Sequence, residues 1–255
     1  MNIGFSTGSL AKGDFRYAIE ILRHTKANVI ELSALREQEL MGLIDSIPDL
    51  DLSQFNYISF HAPSKLSEFS EDQLIEQLLK VAALGYSIIV HPDIITDVAK
   101  WGKLGKFLCI ENMDKRKPVG RTTKDLEMIF EALPEARFCL DLAHARQVDP
   151  TMSEALLMLK RFSKRLIQIH LSSVNSTSHH ESLNFEALLS YSRVSNHMDK
   201  NIPIVLESPI PPEKIGSELL LASFIFDKEK YASLVNNLYQ SHTEDLDSLQ
   251  AIPTK

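Results

Sequence analysis

Residues 107–141 read FLCIENMDKRKPVGRTTKDLEMIFEALPEARFCLD, and the fold is decided in this stretch. It opens on an apolar run that ends at Glu111 and closes on another, RFCLD, that ends at Asp141. Between them come a basic loop, two threonines (Thr122 and Thr123) suited to cap a helix, and a segment over 124–133 with helical spacing of its apolar residues. Two strands joined by a helix must run in the same direction, because a parallel pair needs a crossover. Runs that are apolar throughout, rather than alternating, fit parallel strands covered by helices.

Working outward in both directions, the same unit recurs. Strands are expected at 2–6, 28–32, 56–61, 87–91, 106–111, 137–141, 166–170 and 202–207. Helices are expected at 15–25, 72–84, 124–133, 153–162 and 184–195. In 72–84, Leu74, Leu78, Val81 and Leu84 fall at helical spacing and predict one face packed on the sheet. Eight strand–helix units predict an α/β fold, a (β/α)8 TIM barrel, which typically takes about 250 residues. The barrel would occupy 1–240 as a single domain, closed by the segments IGSELLLASFIF and EKYASLVNNLY, with 241–255 as a flexible polar tail. The alternative is an open doubly wound sheet, but no glycine-rich phosphate loop follows the first strand.

Composition narrows the class. The chain has 255 residues, 44% of them hydrophobic, and a net charge of −7, which argues against a broad nucleic-acid-binding surface. Two cysteines, Cys109 and Cys139, give no disulfide framework. The first residues lack the basic start and apolar core of a signal peptide. No apolar run approaches the roughly 18 residues of a membrane helix. A cytoplasmic enzyme with no membrane partner is the expectation.

The strand ends carry the chemistry. YISFH ends at His61, SIIVH at His91, FLCIE at Glu111, RFCLD at Asp141, LIQIH at His170 and IPIVLE at Glu207. In a barrel the C-terminal strand ends and their loops build the active site, so six side chains of ligand type would converge at one mouth. A lone histidine there is more often a hydrogen-bonded structural residue, but six together point to a metal site. Carboxylates and imidazoles around one space suit zinc, manganese, cobalt or iron. Glu111 lies between the two groups of strands and is placed to bridge two ions. His144 is expected on the loop after Asp141, and His179 and His180 on a polar loop after His170. Cys109 and Cys139, two residues before Glu111 and Asp141, should point into the barrel one layer deeper. The loop 111–123 carries Lys115, Arg116, Lys117 and Arg121. Arg121, just before a helix N-terminus, is the candidate substrate-binding residue for an anion.

These motifs resemble those of the xylose isomerase-like TIM barrel superfamily, in its endonuclease IV-like branch (AP endonuclease family 2). The resemblance covers most of the chain. It is carried by FHAP at His61, VHPD at His91, IENMD at Glu111, CLDLAHA with Asp141 and His144, IHLSS at His170, SHHESL at His180 and LESP at Glu207. It implies three divalent metal ions, usually zinc. His61, His91 and Glu111 would hold the first; Glu111, Asp141, His170 and Glu207 the second; His144 and His180 the third. The family's aspartate two residues before that last histidine is Ser178 here, so the third ion would lose its carboxylate. The family's Asn-Asp after the seventh strand is Ser172–Ser173, and its DNA-holding pair after His-Ala-Pro is Ser64–Lys65. These departures speak against duplex DNA as the partner.

Two activities follow from the resemblance. One is a metal-dependent hydrolase acting on a small-molecule or nucleotide phosphate through a multinuclear site. The other is a sugar or sugar-phosphate isomerase or epimerase using one metal, with Glu111 and Glu207 as the catalytic acid/base pair. His61 and His91 favour the first, since a single-metal site has less use for two further strand-end imidazoles. A barrel that only binds metal or sugar as a partner module is the least favoured reading.

Overall fold

The computed structural model describes residues 1–226. Eight parallel strands close into a barrel: β1 (Ile3–Ser6), β2 (Val29–Ser33), β3 (Tyr57–His61), β4 (Ser87–Val90), β5 (Leu108–Glu111), β6 (Arg137–Asp141), β7 (Leu166–Leu171) and, after the short strands β8 (Ser173–Val174) and β9 (His180–Glu181), β10 (Ile204–Leu206). The ring runs in chain order and shuts where β1 pairs β10. Helices cover it: α1 (Thr7–Ala11), α2 (Phe15–Leu22), α3 (Glu37–Ser46), α4 (Glu71–Ala83), α5 (Val98–Trp101), α6 (Thr123–Ala132), α7 (Leu142–Val148), α8 (Ser153–Phe162), α9 (Phe185–Ser192) and α10 (Ile215–Ser223). This is the (β/α)8 TIM barrel that the sequence pattern predicts. The expected closing segment EKYASLVNNLY, the tail 241–255 and the domain limit at 240 lie outside the described residues.

Outward-facing strand residues meet the helices in one apolar layer. Phe138 of β6 packs edge-on against Phe130 of α6 and Phe162 of α8, with ring centroids 5.9 and 5.6 Å away. Thr122 caps α6 by accepting from the backbone of Asp125. In α4, Leu74, Leu78 and Val81 are buried as their spacing predicts. Leu84 is not: it is the residue that ends the helix and is half exposed.

The inward-facing residues differ from those of an ordinary TIM barrel, where branched apolar side chains fill the interior in layers. Ile89, Cys109 and Cys139 form a small apolar cluster of their own, so the two cysteines do lie a layer below the mouth. Beside them Glu31, Ser59 and Gln168 are fully buried. Gln168 of β7 donates to Glu31 of β2 at 2.7 Å, and since β1 and β10 stand between those strands, this bond crosses the barrel interior.

Three local expectations need correction. His144 is not on a loop: Asp141 accepts from the His144 backbone N–H at 2.6 Å, caps α7, and starts a helix directly at the strand end. A strand-end aspartate is a good N-cap, and a reading of Asp141 as a ligand alone leaves that capacity out. The polar loop after His170 is partly an antiparallel ribbon, β8 with β9, whose second strand begins at His180. His91 and Glu207 lie one residue beyond β4 and β10, and β7 runs one residue past His170.

Closure of the ring depends on a small residue in β1. A Cβ on Gly4 would stand 1.6 Å from the carbonyl oxygen of Val29 in β2. Backbone must move to admit it. Gly4→Ala is therefore expected to cost about 3 kcal/mol, the upper part of the range for overpacked cores. The midpoint of urea denaturation measures this, and an unchanged midpoint would contradict the close β1–β2 approach.

Candidate metal centre

Closure brings the six strand ends together, and four groups of potential ligands result. His61, His91 and Glu111 form one; Glu111, Asp141, His170 and Glu207 a second; Asp141, His144 and His180 a third; Glu31, His61 and Glu207 a fourth. Within each group one ligand atom per residue lies within 4.8 Å of the others. All eight histidines and carboxylates singled out as metal ligands in the sequence are therefore gathered at the mouth.

Glu111 is at the centre and 1% exposed. Its Oε2 faces Nε2 of His61 at 3.3 Å and Nε2 of His91 at 3.4 Å. Its Oε1 faces Nδ1 of His144 at 3.2 Å and Nδ1 of His170 at 3.4 Å. Each oxygen thus looks toward a different set of imidazoles. Neighbours fix several rings. His61 Nδ1 donates to the carbonyl of Ala62 at 2.7 Å, which leaves Nε2 as the free donor atom toward Glu111. His144 Nδ1 is 3.0 Å from the carbonyl of Asn112. The Asn112 side chain accepts from the Asp141 backbone N–H at 2.7 Å and donates to its carbonyl at 2.9 Å, locking the ends of β5 and β6 together.

Whether these residues suit a cation is tested by their loose ends. Asp141 Oδ2, His170 Nδ1, His91 Nδ1 and Glu207 Oε2 are buried and have no hydrogen-bond partner. Buried polar atoms are normally paired. Three of the four belong to the second group or to both the second and third. A cation satisfies several at once, so the donor set fits a divalent metal with nitrogen and oxygen ligands.

Electrostatics agree. Burial opposes a charged imidazole at His144, yet Asp141 and Glu111 push it up to about 10. His170 is driven well above the ordinary imidazole value, against the same burial penalty, by Cys139, Glu207, Glu31 and Glu111. Glu111 is held far down the carboxylate range despite its burial, by His170, His144 and His61. Glu207 moves the other way: burial raises it to about 8, with Glu111 and Asp141 adding repulsion that His170 only partly offsets. His180 falls to about 4 through burial and the neighbouring His144. Without a cation, protons on the imidazoles balance the carboxylates.

The remaining sequence candidates divide. His180 turns inward, its Nδ1 2.7 Å from Ser172 Oγ, whereas His179 is exposed and bonds Thr177. Ser178 sits at φ +60° with its hydroxyl donated to Gln147 at 2.6 Å. The carboxylate expected to be lost from the third group is supplied by Asp141 instead. Arg121 belongs to none of the four groups, and its Nε is buried without a hydrogen-bond partner. Arg116 is tied to Asp114 and the carbonyl of Thr177, and Lys117 to Asp93 at 2.6 Å. The strand-end pattern misses one participant. Glu31 lies inside the run NVIEL, and a lone carboxylate within an otherwise apolar strand is the signal that could have found it.

No family model matches this chain, and no curated protein matches it. Solved structures share its fold. Endonuclease IV from Thermus thermophilus is 19% identical over 89% of this chain and 100% of that one, with a TM-score of 0.58. The probable 3-DHS dehydratase AsbF involved in petrobactin synthesis, from Bacillus anthracis, is 11% identical over 88% and 99%, with a TM-score of 0.61. A xylose isomerase domain protein from Alicyclobacillus acidocaldarius is 12% identical over 87% and 99%, with a TM-score of 0.53. What the chain shares with these three structures is the fold. Among the described residues, no helix is long and apolar enough to cross a membrane.

The proton balance makes a prediction. Ligation requires neutral imidazoles and ionised carboxylates, so an ion in the second group must displace protons from His170 and Glu207, and one in the third group a proton from His144. Metal binding near pH 7 should release more than one proton per chain, and apparent affinity should rise with pH. Calorimetric titration of chelator-treated protein with zinc, in buffers of different ionisation enthalpy, counts the protons. Binding with no proton release would contradict the arrangement.

Proposed function

We propose that this protein is a metal-dependent hydrolase with a multinuclear site, acting on a phosphoester of small-molecule or nucleotide type. The observation that carries the reading is the division of Glu111, one oxygen toward His61 and His91, the other toward His144 and His170. A carboxylate so placed suits a bridge between two cations, and a single-metal reaction has no need of His61 and His91. Asp141, His144 and His180 offer a third position. The fold shared with endonuclease IV is consistent with this and does not select it.

Two divalent cations held by these groups would supply a nucleophilic water at neutral pH and charge stabilisation for the phosphoryl oxygens. The chain's own groups do the rest. Glu111 sets the spacing of the two ligand sets. Asn112 fixes Asp141 so that its second oxygen stays free. Glu207, at the end of the last barrel strand and 3.5 Å from His170, is the proposed general acid/base. Arg121 is the proposed anion-binding side chain at the rim. Ser64–Lys65 stand where the resemblance places the pair that holds DNA, which favours a small substrate. Zinc is the metal the ligand set favours, with manganese and iron as alternatives.

One observation favours a second reading. Glu111, Asp141, His170 and Glu207 make a complete four-residue set without the other histidines. They would also serve a one-metal sugar isomerase or epimerase in which Glu111 and Glu207 exchange a proton at carbon.

The readings separate by experiment. Protein purified without chelator is expected to carry at least two transition-metal ions per chain by elemental analysis, and His61→Ala should lose one of them. One ion per chain, unchanged by His61→Ala, would favour the isomerase. Hydrolysis of an aryl phosphodiester should fall at least about 100-fold in Glu111→Gln, in line with losses on removing a preorganised charged group. Entry of solvent deuterium at carbon in a ketose, with no phosphodiesterase activity, would overturn the hydrolase.

A further inference from the structure

Glu31 is the buried charge that neither the proposed reaction nor the strand-end pattern uses. It lies in β2 below the mouth and is 0% exposed. Three donors converge on its Oε2: Ser59 Oγ at 3.1 Å, Gln168 Nε2 at 2.7 Å and His170 Nε2 at 3.1 Å. Together with His170 and His61 they hold it in the charged form against the penalty of burial. An apolar side chain would fill a barrel interior at lower cost, because a buried ion pair seldom gains more than hydrophobic packing of the same volume. A purely structural role therefore explains Glu31 poorly.

We infer that Glu31 is a positioning residue: it fixes His170 with the hydrogen on Nε2, so that Nδ1 is presented to the ion of the second group. The argument is geometric. A carboxylate only accepts, so the 3.1 Å contact requires the hydrogen on His170 Nε2. When a metal displaces the ring's second proton, Nδ1 is the nitrogen left with a lone pair. It has no hydrogen-bond partner, and it faces Glu111 Oε1 at 3.4 Å and Glu207 Oε1 at 3.5 Å, the oxygens that complete the same group. Gln168 Nε2 lies 2.7 Å from both Glu31 Oε2 and His170 Nε2; an amide nitrogen only donates, so with the ring nitrogen protonated its hydrogen bond goes to Glu31 and keeps that carboxylate at the ring's edge. Metal-bound histidines commonly donate their other N–H to a carboxylate or carbonyl, which sets the tautomer and strengthens the ligand. His61 and His144 use backbone carbonyls for this. His170 instead has a buried carboxylate behind it at hydrogen-bond distance, on the side away from its group.

This rests on the metal-centre reading but not on hydrolysis. The test measures binding. Zinc affinity is taken from competition with a chromophoric chelator, ion count from elemental analysis at saturation, and the His170 ring from ¹⁵N–¹H spectra of the zinc-loaded protein. Glu31→Gln is expected to leave the saturated ion count unchanged while weakening one ion about 10- to 100-fold. It should also speed solvent exchange of the His170 Nε2–H. Gln168→Leu, which releases Glu31 and replaces no ligand, should weaken the same ion about tenfold, and it carries the test if Glu31→Gln does not fold. Unchanged affinity in both variants overturns the inference. So does an ion count that drops by one in Glu31→Gln, because Glu31 would then be a ligand in its own right, alongside His61 and Glu207. Wild-type protein that binds no zinc would remove the metal centre itself, a failure distinct from the other two.

Discussion

A single buried carboxylate, Glu111, organises the mouth of this barrel. It can be there only because imidazoles face both its oxygens, His61 and His91 on one side and His144 and His170 on the other. An isolated charge at that depth would cost several kcal/mol even after local relaxation. The same rule governs its neighbours. Asp141, Glu207 and Glu31 are also buried or nearly so, which makes four carboxylates among five histidines. The cluster is close to neutral when most of the imidazoles carry a proton. It is equally close when the protons leave and divalent cations enter. Exchange of protons for cations at nearly constant charge is the property from which the chemistry of this site follows, and a barrel of ordinary apolar interior would not have it.

The polar layer beneath the mouth extends that logic. Glu31, Ser59 and Gln168 form a floor under His170, at the depth where Cys109, Cys139 and Ile89 supply a small apolar cluster inside the ring. Burial raises both cysteines, Cys109 well above the ordinary thiol value, and neither belongs to any of the four ligand groups. The interior is therefore divided, apolar on the side of β4, β5 and β6 and polar on the side of β2, β3 and β7. The division places the negative floor under one imidazole and leaves His61 and His144 to backbone carbonyls.

Much of this is legible in the residues and some is not, for reasons that can be named. The barrel can be read because near-continuous apolar runs recur with helices between them, and because each run ends in a group that an apolar core would reject. Convergence of His61, His91, Glu111, Asp141, His170 and Glu207 follows from closure alone, whatever the helices do. His144 is misplaced by the sequence pattern because Asp141 has two uses, and its capping of α7 shows only once the strand end and the helix start are seen to coincide. The carboxylate of the third group escapes for the same reason: Asp141 serves two groups, and a linear motif assigns it to one. Glu31 is passed over because it falls inside a strand rather than at its end. Its partner Gln168 is 137 positions away, and no local pattern announces a bond across a barrel.

Internal pairing also decides how the rim can meet an anion. The basic loop after β5 offers four cations, but two of them are already committed. Arg116 is chelated by Asp114, whose carboxyl it helps hold down to about 2, and Lys117 pairs with Asp93. Such pairs shape the loop and contribute little net positive field. What is left of the loop's charge is Arg121 and Lys115. On the proposed hydrolase reading, the larger share of attraction for a phosphate would then come from cations at the strand ends rather than from side chains around them. A substrate held chiefly through its reacting phosphate, with few basic contacts beyond it, is a small one. The acidic balance of the chain argues in the same direction, because an extended polyanion would meet repulsion a short distance from the site.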